Sequence, residues 1–254
     1  MDINGAFKTT SKLLFGQEIG ELADFDAYLR EGLVGKQGKS IYSNSPIMLT
    51  SEQYCKSARF FDYNKEASEY QAREMSKPLD VNNIKDINSL MEAVGERLVY
   101  SGNKVLGNSD SVFNSDNVSD GYQVHDSSLI IKGKFVYASY LMNEPEYVFG
   151  CSSSGESSYL MRCFYNNTLK RCFECSLTVG SSDCYFTYNL TGAQDCMFSF
   201  NLRNVRNRIG NVQLPKEQYA SLKKKLLSEM ADELKRKKCM DLCIIDILNR
   251  DYDD

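Results

Sequence analysis

A twelve-residue period in the second half of the chain limits its fold more than any other feature. Val124, Val136, Val148, Leu160, Cys172, Cys184 and Cys196 recur at that interval, and all are apolar. The next position holds His125, Tyr137, Phe149, Met161, Phe173, Tyr185 and Met197, a large side chain in every unit. Two residues further come Ser127, Ser139, Cys151, Cys163, Cys175, Thr187 and Ser199, all small. Columns of like residues at a fixed interval mark a repeat whose units stack. Stacking in register needs neighbouring strands that run the same way, so the columns predict a short parallel β-helix, expected to be right-handed. An antiparallel meander of twelve-residue units is the alternative, but it reverses the order in every second strand and would scatter the columns.

A further column refines the expectation. Ser128, Tyr140, Ser152, Phe164, Ser176, Tyr188 and Phe200 alternate small and aromatic until the last member, which suggests about 24 residues per turn, two strands in each. On that reckoning the stack holds roughly three and a half coils, about 17 Å at the usual strand spacing. So short a stack needs caps. Leu214-Pro215-Lys216-Glu217 opens a strong helix at the C-terminal side, with Tyr219, Leu222, Leu226, Met230 and Leu234 as its apolar stripe, and this stripe is expected to cover the last open coil. Asp241 then starts a shorter stripe of Leu242, Ile245 and Leu248 before an acidic tail.

The first hundred residues read as helical. Leu13, Leu14, Ile19, Leu22, Phe25, Tyr28 and Leu29 suit one or two short amphipathic helices, and Ser51 serves as N-cap for a second helical stretch that Pro78 would stop. A third, from about Asn83 to Tyr100, is expected to bury Ile87, Leu90, Met91, Val94 and Leu98 on one stripe. Ser101 to Tyr122 is rich in Ser, Asn, Asp and Gly and reads as a loop. The expected architecture is therefore α+β: a helical region over 1–111, a linker over 112–122, the solenoid over 123–212, and a helical cap with its tail over 213–254.

A net charge of −4 offers no general field for a polyanion, and no window is apolar enough to span a bilayer. The expectation is a cytoplasmic chain, or a virion component, with its nine cysteines reduced. Cys172 and Cys175 form a C-x-x-C that Cys163 and Cys184 would complete as a zinc site, yet the repeat accounts for these thiols as core ladders without metal, and no cofactor is expected. His125, the single histidine, lies beside Asp126, but its place in the large-residue column makes a core role the simpler reading than a Ser-His-Asp relay. Asp183 and Asp195, one unit apart, could act with Arg203 as an acid/base pair on a sugar or nucleotide. Asn189 and Asn201 read as turn residues. Lys223, Lys224, Lys225, Lys235 and Lys237 are the local basic patch, a contact surface for a protein or, less favoured, a nucleic acid. Gly35-Lys36-Gln37-Gly38-Lys39-Ser40 lacks the spacing of a phosphate loop.

With the repeat and helix in place, Cys196-Met197-Phe198-Ser199-Phe200-Asn201-Leu202-Arg203, Gly210-Asn211 and Leu214-Pro215-Lys216-Glu217-Gln218-Tyr219 carry a resemblance. This stretch resembles uncharacterised repeat proteins of archaeal, candidate-phylum bacterial and large phage genomes, whose Cys and aromatic ladders are closed by a Lys-Glu-x-Tyr helix. Several of those proteins have more cysteines near the cap than this chain. The resemblance implies the solenoid and no activity. The leading expectation is a non-enzymatic subunit of a larger assembly that meets protein partners or copies of itself and no membrane, with enzyme and nucleic-acid binder as rivals.

Overall fold

The computed structural model describes residues 1–31, 36–50, 53–95, 97–143, 148–155, 161–167 and 173–241, with backbone alone at 36, 151–155, 163–167 and 175–178. A parallel β-solenoid runs from 105 to 209. Its register shows that one coil takes twelve residues: Val124 pairs with Val136, Tyr137 with Phe149, Cys163 with Cys175 and Cys184 with Cys196. The 24-residue turn suggested by the small/aromatic alternation is thus corrected. Tyr140 and Ser128 are direct neighbours, as are Tyr188 and Phe200, so the alternation lies along one column.

Twelve residues close a coil because the backbone turns at every third one. Ser111, Asn114, Asn117, Asp120, Gln123, Asp126, Leu129, Lys132, Phe135, Ala138 and Leu141 all have φ between 46° and 59°, and the pattern returns from Asp183 through Asn207. Left-handed backbone disfavours L side chains by about 1–2 kcal/mol, least for Gly, Asn and Asp, which explains why those residues crowd the corners. The stretch read as a linker over 112–122 is therefore solenoid. Its Asn114, Asn117 and Asp120 are corners, and strands Asp110–Phe113 and Asp116–Ser119 lie within it.

The residue after each corner points inward. Val118, Val124, Ile130, Val136, Met142, Val148, Cys184, Leu190 and Cys196 fill the interior at 2% exposure or less. Between them runs a polar ladder. Ser127 donates its hydroxyl to His125 O (2.7 Å) and accepts Ser139 N–H (3.1 Å); Ser139 donates in turn to Tyr137 O (2.7 Å). The Ser127 hydroxyl is thereby satisfied both as donor and as acceptor. The fourth inward column must be small: a Cβ on Gly121 would stand 2.5 Å from Val118 Cγ1.

The column of large residues faces outward, where helices cover it. α1 (Ile3–Phe15) begins at Asp2, whose carboxylate accepts Gly5 N–H, and ends at left-handed Gly16. Its Phe7 meets Phe149 edge-on (5.3 Å), and Phe15 meets Phe173 (5.0 Å). A single-turn helix at Leu22–Phe25 leads into α2 (Asp26–Arg30) on the same flank.

Strands β1 (Lys36–Lys39) and β2 (Pro46–Leu49) form a hairpin over the first coil, where Thr50 bonds Asp116 through N–H (3.0 Å) and hydroxyl (2.6 Å). β3 (Phe60–Asp62) leads into α3 (Tyr63–Tyr70), and the N-cap is Asp62, which accepts Asn64 N–H and Lys65 N–H. Ser51, expected as that cap, lies outside the described residues, and the helix starts well beyond it. α4 (Ile87–Gly95) follows, then β4 (Tyr100–Gly102), which pairs with β3. The stripe expected to be buried on this helix faces solvent instead: Ile87 is 67% exposed and Met91 63%. Periodicity identified the helix, but Ile47 and Leu49 of the hairpin pack with Phe60 of β3 in a cluster of their own that leaves α4 uncovered.

α5 (Lys216–Lys237) buries Tyr219, Leu227, Met230, Ala231 and Leu234. It packs against the strand Arg206–Ile209 of the last coil. It lies along the flank beside α1, sharing one core with Tyr137, Phe149, Phe173, Tyr185 and Met197, while Leu222 stays 37% exposed. The last coil is closed by Val212–Gln213, antiparallel to Arg206–Ile209. The stripe at Leu242, Ile245 and Leu248 lies outside the described residues. No described helix is long and apolar enough to cross a membrane.

Candidate functional site

Asp183 and Asp195 occupy the same corner of successive coils, with φ of 51° and 53°, and Asn207 continues the column. Adjacent rungs stand about 4.8 Å apart, so the two side chains leave the stack side by side. The last turn of α1 and the first half of α5 pass beside this corner and enclose with it a cleft of ≈ 480 Å³. Lys12, Lys216, Tyr219, Lys223 and Lys224 line its helical walls, and Tyr185 lines the floor. Lys223 Nζ sits 2.9 Å from Asp195 Oδ1, with the Tyr185 and Tyr219 ring centroids 5.1 and 5.6 Å away. Burial raises the Tyr219 hydroxyl far above the ordinary tyrosine range.

The structure thus joins two sets of residues that the sequence offered for different purposes, Asp183 with Asp195 and Lys223 with Lys224. It separates Arg203 from them. That residue is exposed on the strand beside Thr191, and the expected three-residue constellation does not form because Asp195 takes its positive partner from α5. The other patch lysines are drawn into the fold's own polar network. Lys225 lies 3.9 Å from Glu229, Lys235 bonds Gln17 (2.6 Å), and Lys237 contacts Glu233 and Asp241.

Cys184 and Cys196 are adjacent interior rungs, their thiols directed at Ser182 O (3.2 Å) and Gln194 O (3.5 Å). Cys163 and Cys175 are register partners in a different column, while Cys172 and Cys243 lie outside the described residues. Among the described residues no group of three His, Cys, Asp or Glu side chains converges. His125 packs its ring against Phe113 (4.9 Å), and burial lowers its pKa. Asp126 gives its carboxylate to Arg30 (2.7 Å), so no Ser-His-Asp relay is built on this pair.

Two arginines carry structural weight that the sequence did not signal. Arg30 binds Asp26 (2.5 Å), Asp126 (2.7 Å) and the Tyr137 hydroxyl (3.3 Å). Arg162, 3% exposed, holds Glu31 (2.9 Å) and lies 3.6 Å from buried Glu174, which also accepts the Tyr28 hydroxyl (3.0 Å). Both pin the α2 segment to the flank through partners far along the chain, Tyr137 lying 107 residues from Arg30 and Arg162 131 from Glu31, which no local spacing could disclose.

No family model matches the chain, and no curated protein or solved structure matches it either.

Proposed function

We propose that this chain is a non-enzymatic interaction subunit of a larger assembly, with the solenoid as a rigid mount and α4 as the docking element. One observation carries the reading: Ile87, Met91 and Val94 form an apolar stripe at helical spacing, 67%, 63% and 42% exposed, and Leu98 extends it at 45%. Exposed apolar residues are ordinary singly, but a contiguous stripe marks a contact surface. Burying four such side chains from the exposure they have stabilises an interface by about 5 kcal/mol, at 1.5–3 kcal/mol for each full burial. Association itself costs about 4–15 kcal/mol, so a small donor of surface is not enough. A second copy of this chain supplies the same stripe again and so doubles the apolar surface brought into contact. The occupant is therefore a second copy in an antiparallel helix pair.

The test is light scattering on the full chain across a concentration series. Wild type is expected to reach dimer mass, and the Ile87→Glu/Met91→Glu variant to stay monomeric with an unchanged circular dichroism spectrum and a melting temperature that no longer depends on protein concentration, since neither side chain is buried within one copy. A wild-type chain that remains monomeric at 100-fold above the working concentration sinks the reading, as does a variant that dimerises equally well.

A further inference from the structure

The strand Asp110–Phe113 heads its column and pairs, among the described residues, with one strand alone, Tyr122–His125 of the next coil. Later coils define what its other edge lacks, because each rung is held by the same two backbone groups. One is a corner N–H given to the coil before: Asp126 N–H donates to Phe113 O (3.0 Å), Phe198 N–H to Tyr185 O (3.0 Å) and Gly210 N–H to Met197 O (3.1 Å). The other is a carbonyl that accepts from the coil before: Gly121 O takes Asp110 N–H (2.8 Å), and Gly133 O takes Tyr122 N–H (2.8 Å). Twelve residues earlier, Asn114 N–H and Ser109 O hold these two places in the first coil. Among the described residues neither has a partner.

The side-chain columns are unfinished at the same place. Val124, Val136 and Val148 are fully buried, whereas Val112 at the head of their column is half-buried. In the outward column Phe149 and Tyr137 are covered, but Phe113 is 57% exposed, its ring resting on His125 (4.9 Å). A groove of ≈ 340 Å³ runs along this edge, lined by Val112, Phe113, Asn114 and Ser115 together with Pro46 and Asn64. The N-terminal elements touch the coil before and after the strand, Asn64 Oδ1 at Val105 N–H (3.3 Å) and Thr50 at Asp116, and leave the edge between them open. An open edge pairs with extended backbone, and the pockets beside it select the side chains. We propose that the edge at Asp110–Phe113 takes up an extended segment of a partner protein as one further parallel rung, with a β-branched apolar residue over Val112 and an aromatic one over Phe113. Its carbonyl accepts Asn114 N–H, and one of its amides donates to Ser109 O. The far end of the stack does not offer this rung, because Val212–Gln213 already pairs with the last coil there in the antiparallel sense. The occupant is therefore a loose segment of another protein, not a second copy stacked head to tail.

The probe is a blocked hexapeptide, Ser-Asp-Ser-Val-Phe-Asn, which copies residues 109–114 and so carries the side chains of the rung it would cover. In a titration of the isotope-labelled full chain, the amides of Val112, Phe113, Asn114 and Ser115 are expected to shift saturably, and hydrogen exchange at Asn114 to slow by about tenfold or more at saturation. Replacing the peptide's Val and Phe by Ser should raise Kd by about tenfold or more. A methyl group on the amide nitrogen of the peptide's Asp, the donor to Ser109 O, should do the same. Phe113→Ser changes an exposed ring of the protein and should weaken binding with an unchanged circular dichroism spectrum. The proposal is overturned by no saturable shift at these amides, by an unchanged Kd for either altered peptide or for Phe113→Ser, or by an Asn114 amide already protected in the protein alone. None of these changes touches α4, so the outcome is separate from that of the dimerisation test.

Discussion

Lys132 and Lys134 are both exposed, two residues apart on one coil, yet replacing each by glycine should change stability in opposite directions. Lys132 is a corner with φ 53°, whereas Lys134 opens a strand with ordinary extended backbone. A glycine in ordinary backbone lowers stability by about 0.5–1 kcal/mol because it loses more freedom on folding. At Lys132 the same loss is offset by relief of left-handed strain worth about 1–2 kcal/mol. Lys132→Gly should therefore be neutral to stabilising, and Lys134→Gly destabilising, with a separation of about 1–2 kcal/mol. For a chain of this size that corresponds to roughly 2–8 °C in melting temperature. Urea midpoints read by circular dichroism give a second measure, provided the slope stays constant so that the change is one of stability. Equal destabilisation by both variants would refute the claim that the coil turns on every third residue.

The interior ladder gives a graded prediction: Ser127→Val leaves Ser139 N–H without its acceptor and should cost about 1–3 kcal/mol in a urea titration. Ser199→Val, whose hydroxyl accepts only Asn211 N–H at 3.4 Å, should cost less. Burial pushes the Tyr137 hydroxyl up to about 12, so between pH 10 and 12 the unfolded chain loses a proton that the folded one keeps. Thermal stability should fall across that window, and Tyr137→Phe should flatten the fall. His125 shifts the other way: burial lowers its pKa, so the unfolded chain takes up a proton first as pH drops through about 6.5, and stability is lost on that side. His125→Phe should abolish that part of the acid dependence in melting curves.

The columns of the solenoid were legible because a parallel stack converts sequence interval directly into spatial neighbourhood. The interval was read as half a turn only because a small side chain next to a large one looks like a change of strand, whereas here it is one column filling space alternately. The signal for the shorter coil was present in Asn114, Asn117 and Asp120, which recur at every third residue in the stretch that polarity alone marked as linker, with Asp126 continuing the series beyond it. The cleft was legible only in halves. Asp183 and Asp195 follow from the period and the lysines from the helix, but the side on which α5 lies depends on long-range packing that neither pattern contains. α4 illustrates the opposite limit, since periodicity specifies which side chains share a face and is silent on whether anything covers it.

The shape of the coil also decides which parts of the molecule are free to do something else. Where the coils' side chains are described, four positions point inward, one of them small and one a hydroxyl, which leaves only two apolar side chains to each layer, too few to stabilise a stack alone. The missing burial comes from the outward column Tyr137, Phe149, Phe173, Tyr185 and Met197, which is apolar enough to need cover and receives it from α1 and α5. Those helices are consequently part of the core, and substitutions in their buried faces report on folding before they report on function. The hairpin of β1 and β2 and the short strand at Val212–Gln213 occupy the two ends of the stack. With the flank and most of the ends so covered, α4 contributes little to the stability of one copy, and its exposed apolar stripe is left free for the contact proposed above.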